Sequence, residues 1–194
     1  MPKDISPFLS VLRKLFPFFA FCHAFFLFNV CNAQPELETV DKVDLRKYAG
    51  TWYEICHMPA RFLDGCDCIS ANYSLDPKGH INVYNTCRKS NGKWASIRGK
   101  AFVAEGSWNS RLKVQFFWPF RSDYYIIDLA KDYSYAIVGE PSRRYLWILS
   151  RSPEMDPSLY QSLVKKCGNK GFAVEYLVVT SQKNCENKKD ILSQ

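Results

Sequence analysis

The amino-acid sequence predicts an all-β fold, an antiparallel barrel or sandwich of eight strands with one helix near its C-terminal end. Three observations predict it. Segments rich in aromatic and β-branched residues recur at short intervals, with turn residues in the gaps between them. There is no βαβ alternation and no internal repeat. One stretch near the C-terminal end switches to helical spacing.

The strands fall at 51–56, 69–75, 80–87, 94–104, 112–117, 124–129, 135–138 and 145–150. Turn signals separate them: Asp76-Pro77-Lys78-Gly79, Ser90-Asn91-Gly92-Lys93, Trp108-Asn109-Ser110, Lys131-Asp132 and Glu140-Pro141-Ser142. In the first strand Trp52 and Glu54 share a face, so Glu54 points wherever Trp52 does. In the eighth, Tyr145, Trp147, Leu149 and Arg151 share a face. The opposite face of that strand is also apolar, so an outer cover is expected. The helix, at about 156–168, supplies it. Asp156 is a natural N-cap with Pro157 at the first helical position, and Leu159, Leu163, Val164 and Cys167 follow at helical spacing. A last strand is expected over 172–179, and residues 184–194 read as a polar, frayed tail.

The first 33 residues read as a secretory signal peptide, removed before Gln34. Lys3, Arg13 and Lys14 precede an apolar run from Leu15 to Phe28, and Cys31-Asn32-Ala33 is a small-residue cleavage site. A retained membrane anchor is the alternative. The run is short for a span of ~20 residues, and Pro17 and His23 interrupt it. A lipid-modified Cys31 is disfavoured because Phe28-Asn29-Val30 is too bulky and polar for a bacterial lipobox. The organisation is therefore a leader (1–33), a lead segment (34–44), the β domain (45–183) and the tail. The product is expected to be secreted or periplasmic and soluble, with a membrane surface as a further candidate partner.

The chain holds 26 Lys+Arg against 19 Asp+Glu. The cations are scattered, which argues against a nucleic-acid groove. Of the eight cysteines, Cys22 and Cys31 leave with the leader. Cys56, Cys66, Cys68, Cys87, Cys167 and Cys185 stay, an even number suited to disulfides in an oxidising compartment. Cys66-Asp67-Cys68 is too closely spaced for a zinc pair, and no second pair matches it, so no metal and no cofactor are expected. Asn72-Tyr73-Ser74 is an N-glycosylation sequon, relevant in a eukaryotic host.

Gly50-Thr51-Trp52-Tyr53-Glu54-Ile55 resembles the G-x-W motif that opens the first strand of the lipocalin family. Asp128-Leu129-Ala130-Lys131-Asp132-Tyr133 sits where that family has its T-D-Y block, with Lys131 in place of the threonine. Leu146-Trp147-Ile148-Leu149-Ser150-Arg151 is similar to the third block, which ends in arginine. All three occur in order. Cys68-Ile69-Ser70-Ala71-Asn72-Tyr73 and Cys185 are similar to the apolipoprotein D-like branch, and Tyr53-Glu54-Ile55 to bacterial outer-membrane members too.

The resemblance implies an eight-stranded up-and-down barrel with the helix packed outside, holding a small hydrophobic ligand such as a fatty acid or lysophospholipid. Arg151 would lie across the Trp52 indole at the barrel floor beside Gly50, a structural trio. Cys68 would be bonded to Cys185. For the other four cysteines, Cys56 with Cys87 and Cys66 with Cys167 is one of three open pairings. Ligand contacts are expected from Trp147, Tyr145 and Leu149, then from Val83 and Phe102 on the wall, and from Phe62 and Arg61 at the mouth. Leu63, the Phe117-Trp118-Pro119-Phe120 cluster and Arg121 are further candidates there.

Enzymatic signatures are missing. There is no G-x-S-x-G, H-E-x-x-H or phosphate-binding glycine loop. Cys56 and His57 are strand neighbours and point to opposite faces. A carrier is the expectation, as a monomer or dimer. The alternatives are a lipocalin-like isomerase or de-epoxidase, and an interaction module whose barrel is filled by its own side chains, for which 15% aromatic residues would suffice.

Overall fold

A computed structural model describes residues 35–185. The expected leader, Cys31 and the tail from 186 onward lie outside the described residues. The strands are β1 (Gly50–His57), β2 (Cys66–Leu75), β3 (Ile81–Lys89), β4 (Trp94–Val103), β5 (Arg111–Gln115), β6 (Ser122–Leu129), β7 (Tyr135–Gly139), β8 (Leu146–Ser150) and β9 (Val178–Val179). Each of β2 to β8 pairs with its sequence neighbour, β8 returns to β1, and β1 pairs with β2, so eight strands close into a barrel. All pairings are antiparallel. Closure removes the unpaired edges that an open sheet would expose.

The barrel has two apolar layers because its strands alternate. Trp52, Ala71, Val83, Ala101, Val114, Ile126, Val138 and Leu149 belong to one buried cluster on the inner face. Ile55, Cys56, Ile137, Leu146 and Ile148 belong to a second on the outer face, together with Leu163 and Cys167 of helix α2 (Pro157–Asn169). The helix thus covers β1, β7 and β8 from outside, which accounts for the apolar outer face of β8. Asp156 caps it by accepting from the backbone of Ser158 and Leu159.

A short helix, α1 (Leu45–Tyr48), precedes β1, with Asp44 as N-cap. It lies below the detectable length for hydrophobic periodicity. Beside it, β1 pairs directly with β2 only through residues 50–53. Beyond that point the C-terminal segment enters. Val178 and Val179 pair with β1, and the Cys68 amide donates to the Ser181 carbonyl. The Gln182 amide nitrogen donates to the carbonyls of both Glu54 and Ile69, at 2.8 Å each. The expected strand over 172–179 is accordingly corrected. It is a 3₁₀ turn, Val174–Tyr176, followed by the two-residue β9, because the segment serves as a wedge and not as a ninth staves' length of sheet. Residues 184 and 185 are not frayed either. The Asn184 carbonyl accepts from Arg88 at 2.6 Å, and Cys185 is bonded to Cys68.

The second disulfide joins Cys66 to Cys87, so the pairings Cys56–Cys87 and Cys66–Cys167 are both wrong. Register is the reason. Cys66 opposes Lys89 and Asp67 opposes Arg88 on adjacent strands, which brings the Cys66 and Cys87 Cα atoms to 5.6 Å. Cys56 and Cys167 are unbonded and buried between β1 and α2. Burial pushes both thiols up to about 12. Non-reducing peptide mapping is therefore expected to recover Cys66–Cys87 and Cys68–Cys185. Cys56 and Cys167 should resist alkylation at mildly alkaline pH in the folded protein and react in denaturant.

Candidate functional site

Strand direction sets the two ends of the barrel. β1 starts at Gly50 and runs away from the floor, so the connections 58–65, 90–93, 116–121 and 140–145 lie at the opposite, open end. The floor is built around Trp52, which is fully buried. The Arg151 guanidinium stands 3.8 Å from the centre of its ring. Its nitrogens also donate to the carbonyls of Thr51 and Lys47 at 2.7 Å, of Ala49 at 2.9 Å and of Tyr48 at 3.1 Å. The indole N–H donates to the Tyr48 carbonyl at 2.8 Å. Gly50 has φ +96, and a Cβ there would sit 3.3 Å from the Arg151 Nη1, so the position takes glycine both for its backbone and for the close approach. The Tyr133 hydroxyl accepts from the Asp44 amide at 2.9 Å and ties the 130–134 turn to the α1 cap.

Above the floor three phenols meet. The Tyr124 hydroxyl lies 2.7 Å from that of Tyr48 and 3.0 Å from that of Tyr73. Burial raises all three phenols above their ordinary value, Tyr73 to about 12, so each keeps its proton through the physiological range. Three hydroxyl protons serve two mutual hydrogen bonds, which leaves one proton available to another acceptor. Tyr124 is half-buried, whereas Tyr48 and Tyr73 are buried.

Glu54 points inward, as expected: it opposes the inward Leu149. A bulge between Glu54 and Cys56 then returns His57 to the same face. The His57 Nδ1 lies 2.7 Å from the Glu54 Oε1, and the Thr180 hydroxyl donates to the same oxygen at 2.6 Å. All three residues are buried. Sequence reasoning missed this brace because Thr180 is remote in the chain and the bulge is invisible to a two-residue alternation.

Several expected ligand residues come together. Leu149 and Trp147 face inward on β8. Tyr145 stacks on Trp147 with ring centres 6.0 Å apart, and Phe62 lies 6.1 Å from Tyr145. An aromatic ladder therefore runs from the exposed rim to the half-buried inner wall. Val83 is buried on the inner face, and Arg61 is exposed on the 3₁₀ turn at the mouth (Arg61–Leu63). Phe102 is placed differently. It opposes Lys113 on β5 and lies on the outward-facing register of β4, where it packs 6.0 Å from His80 and carries the Arg121 guanidinium at 4.2 Å. Gly99 and Ala101 hold the inward register of β4 instead, opposite Val83 and Val114. Arg121 consequently lies along the outer wall.

Among the described residues no cluster of His, Cys, Asp or Glu is arranged to hold a metal ion. Removing the floor cation tests the structural assignment. Arg151→Ala deletes the cation–π contact and leaves three part-buried carbonyls without their donor, an expected loss of about 3 kcal/mol, or roughly 10 °C in Tm for a domain of this size. Thermal unfolding measures it.

Residues 43–182 match the family model described as a Lipocalin-like domain. The chain is 35% identical over 173 residues to the outer membrane lipoprotein Blc of Escherichia coli (strain K12), covering 87% of this chain and 98% of that protein. It is 39% identical over 157 residues to temperature-induced lipocalin-1 of Arabidopsis thaliana, covering 76% and 83%. Apolipoprotein D of Mus musculus is 35% identical over 159 residues, covering 78% and 83%. The fold superposes on insecticyanin from the tobacco hornworm Manduca sexta with a TM-score of 0.64 at 20% identity, covering 77% of this chain and 86% of that one.

Proposed function

Because this chain belongs to the lipocalin family, we propose that it is an extracytoplasmic, non-enzymatic carrier that holds one fatty acid or lysophospholipid in the barrel. The observation that carries this reading is the polarity of the barrel along its axis. Its closed end is filled by Trp52, Tyr48 and Tyr73. Its open end presents the Phe62, Tyr145 and Trp147 ladder beside Leu149. The ligand enters from the mouth, its chain against Trp147 and Val138 and reaching Leu149 and Val83 toward the floor. Binding derives from apolar area removed from water, ~25 cal/mol per Å². The spare hydroxyl proton of the phenol cluster offers an anchor for a ligand oxygen, and Arg61 offers a charge at the rim.

The carrier reading is supported by what the polar residues already do. Glu54 and His57 are engaged with each other and with Thr180, as a brace for the C-terminal wedge. Cys56 lies on the other face of the sheet, under α2. Two disulfides suit an oxidising compartment. No helix among the described residues is long and apolar enough to cross a membrane.

Organic-solvent extraction of the purified protein, followed by mass spectrometry, is expected to release a fatty acid or lysophospholipid. An empty extract, with no tryptophan response to either lipid, would point instead to a barrel filled by its own side chains. In titrations with a fatty acid, Trp147→Phe should abolish most of the emission change. Tyr124→Phe breaks the phenol chain and is expected to weaken binding about five- to tenfold, the worth of one hydrogen bond. Isothermal calorimetry checks the second.

A further inference from the structure

The brace at the β1 seam uses only one nitrogen of its histidine. His57 is 5% exposed and Glu54 4%. The imidazole meets its partners through Nδ1, 2.7 Å from the Glu54 Oε1 and 3.4 Å from the Thr180 hydroxyl. Nε2 has no hydrogen-bond partner among the described residues, yet it is not one of the enclosed side-chain atoms that lack a partner. It therefore keeps a contact with solvent. His57 opposes Trp147, which faces inward on β8, so the space that Nε2 meets is the barrel interior.

The proton count of the pair sets what Nε2 can do. Thr180 donates to the Glu54 Oε1 at 2.6 Å, so that oxygen is an acceptor and His57 turns Nδ1–H toward it. With this one proton the pair carries a net negative charge, and Nε2 is a bare acceptor. A second proton enters at Nε2. The pair is then neutral overall, and Nε2–H is a charge-assisted donor. The groups that stand against the ring are Glu54 on its own strand, Trp147 on β8, and Val178 and Thr180 on the C-terminal segment. Glu54 is the charged member of this set. The phenols of Tyr48, Tyr73 and Tyr124 keep their protons, pushed up by burial, and do not share in the titration.

We propose that His57 recognises a lipid carboxylate in the lumen, and that the barrel takes up a proton at this residue as it binds a fatty acid. The inference rests on the carrier reading and, within it, names carboxylate lipids as the preferred ligands. A carboxylate beside the one-proton pair would set two like charges together out of water. Beside the two-proton pair it meets a donor and no net charge. Affinity for a carboxylate lipid consequently rises as pH falls through the titration of the imidazole, and is lost as pH rises. An uncharged lipid of the same chain length shows no such slope. A fatty acid is thus loaded in a more acidic medium and released in a less acidic one.

Calorimetry with the full chain tests the proposal, with dodecanoic acid and dodecanol as probes. Titrations in two buffers of different ionisation enthalpy count the protons taken up. Dodecanoate is expected to bind with proton uptake near neutral pH, and dodecanol with none. Between about pH 8 and about pH 6 the dodecanoate affinity should rise about tenfold, the worth of one charge-assisted hydrogen bond. His57→Asn keeps a donor toward Glu54 in the place of Nδ1 and lacks the nitrogen in the lumen. Its Tm should hold, and its preference for dodecanoate over dodecanol at the lower pH should fall about tenfold. His57→Gln places in the lumen a nitrogen that does not titrate, so its dodecanoate affinity should lose the dependence on pH. His80→Gln alters the histidine that packs on Phe102 at the outer wall and should keep the parent's pH profile. In the parent, with no substitution, dodecanoate at fixed pH should move the nitrogen resonance of His57 Nε2 to its protonated position. Dodecanoate binding without proton uptake, uptake that persists in His57→Gln, or an Nε2 resonance that ignores the ligand overturns the inference and leaves the carrier reading standing. If neither probe binds the parent, the carrier reading falls and this inference with it.

Discussion

An up-and-down barrel that keeps an apolar interior needs one end sealed against water, and here one cation holds the seal. The Arg151 guanidinium stands over Trp52 and donates to the carbonyls of residues 47, 48, 49 and 51. Those carbonyls belong to the last turn of α1 and the start of β1, short of the point where β1 begins to pair with β8 at Tyr53. A planar fork of five N–H donors suits such a cluster of acceptors, and a lysine could not reach as many at once. Through this contact the end of β8, the start of β1 and α1 become one unit. The buried indole they enclose then supports the phenol cluster above it.

The second constraint lies at the seam between β1 and β2. Their direct pairing covers four residues, Gly50 to Tyr53, and a seam that short would leave backbone groups unpaired toward the mouth. The C-terminal segment supplies the missing partners. Its donors and acceptors reach Ile55, Glu54, Cys68 and Ile69, and the Cys68–Cys185 bond holds it there across 117 residues of sequence. Closing so long a loop restricts the unfolded chain strongly, by ~4–5 kcal/mol on the chain-entropy model. The buried Glu54, His57 and Thr180 group belongs to the same seam. A carboxylate inside a barrel requires hydrogen-bond partners, and here it finds them in the wedge.

These two closures give the molecule its direction. The floor is filled and its surface charge is mixed. The mouth is lined by the rings of Phe62, Tyr145 and Trp147. The carrier reading draws on that single asymmetry. It arises because alternate hairpins of an up-and-down barrel gather at alternate ends, so residues far apart in sequence share one rim.

Much of this was legible in the sequence. Aromatic and β-branched runs placed eight strands, Asp156-Pro157 placed the start of α2, and the three motif blocks identified the floor trio of Gly50, Trp52 and Arg151. Those features rest on local propensity or on residues whose chemistry has few uses. The alternation of β8 also put Trp147 and Leu149 on the inner wall. The β1 bulge that turns His57 inward, the outward register of Phe102, the Cys66–Cys87 bond with Cys56 and Cys167 left as thiols, and the wedge at the seam were decided only by the tertiary structure. Each depends on register: a shift of one residue reverses the face of every side chain beyond it, and no local residue preference records which strands will stand side by side.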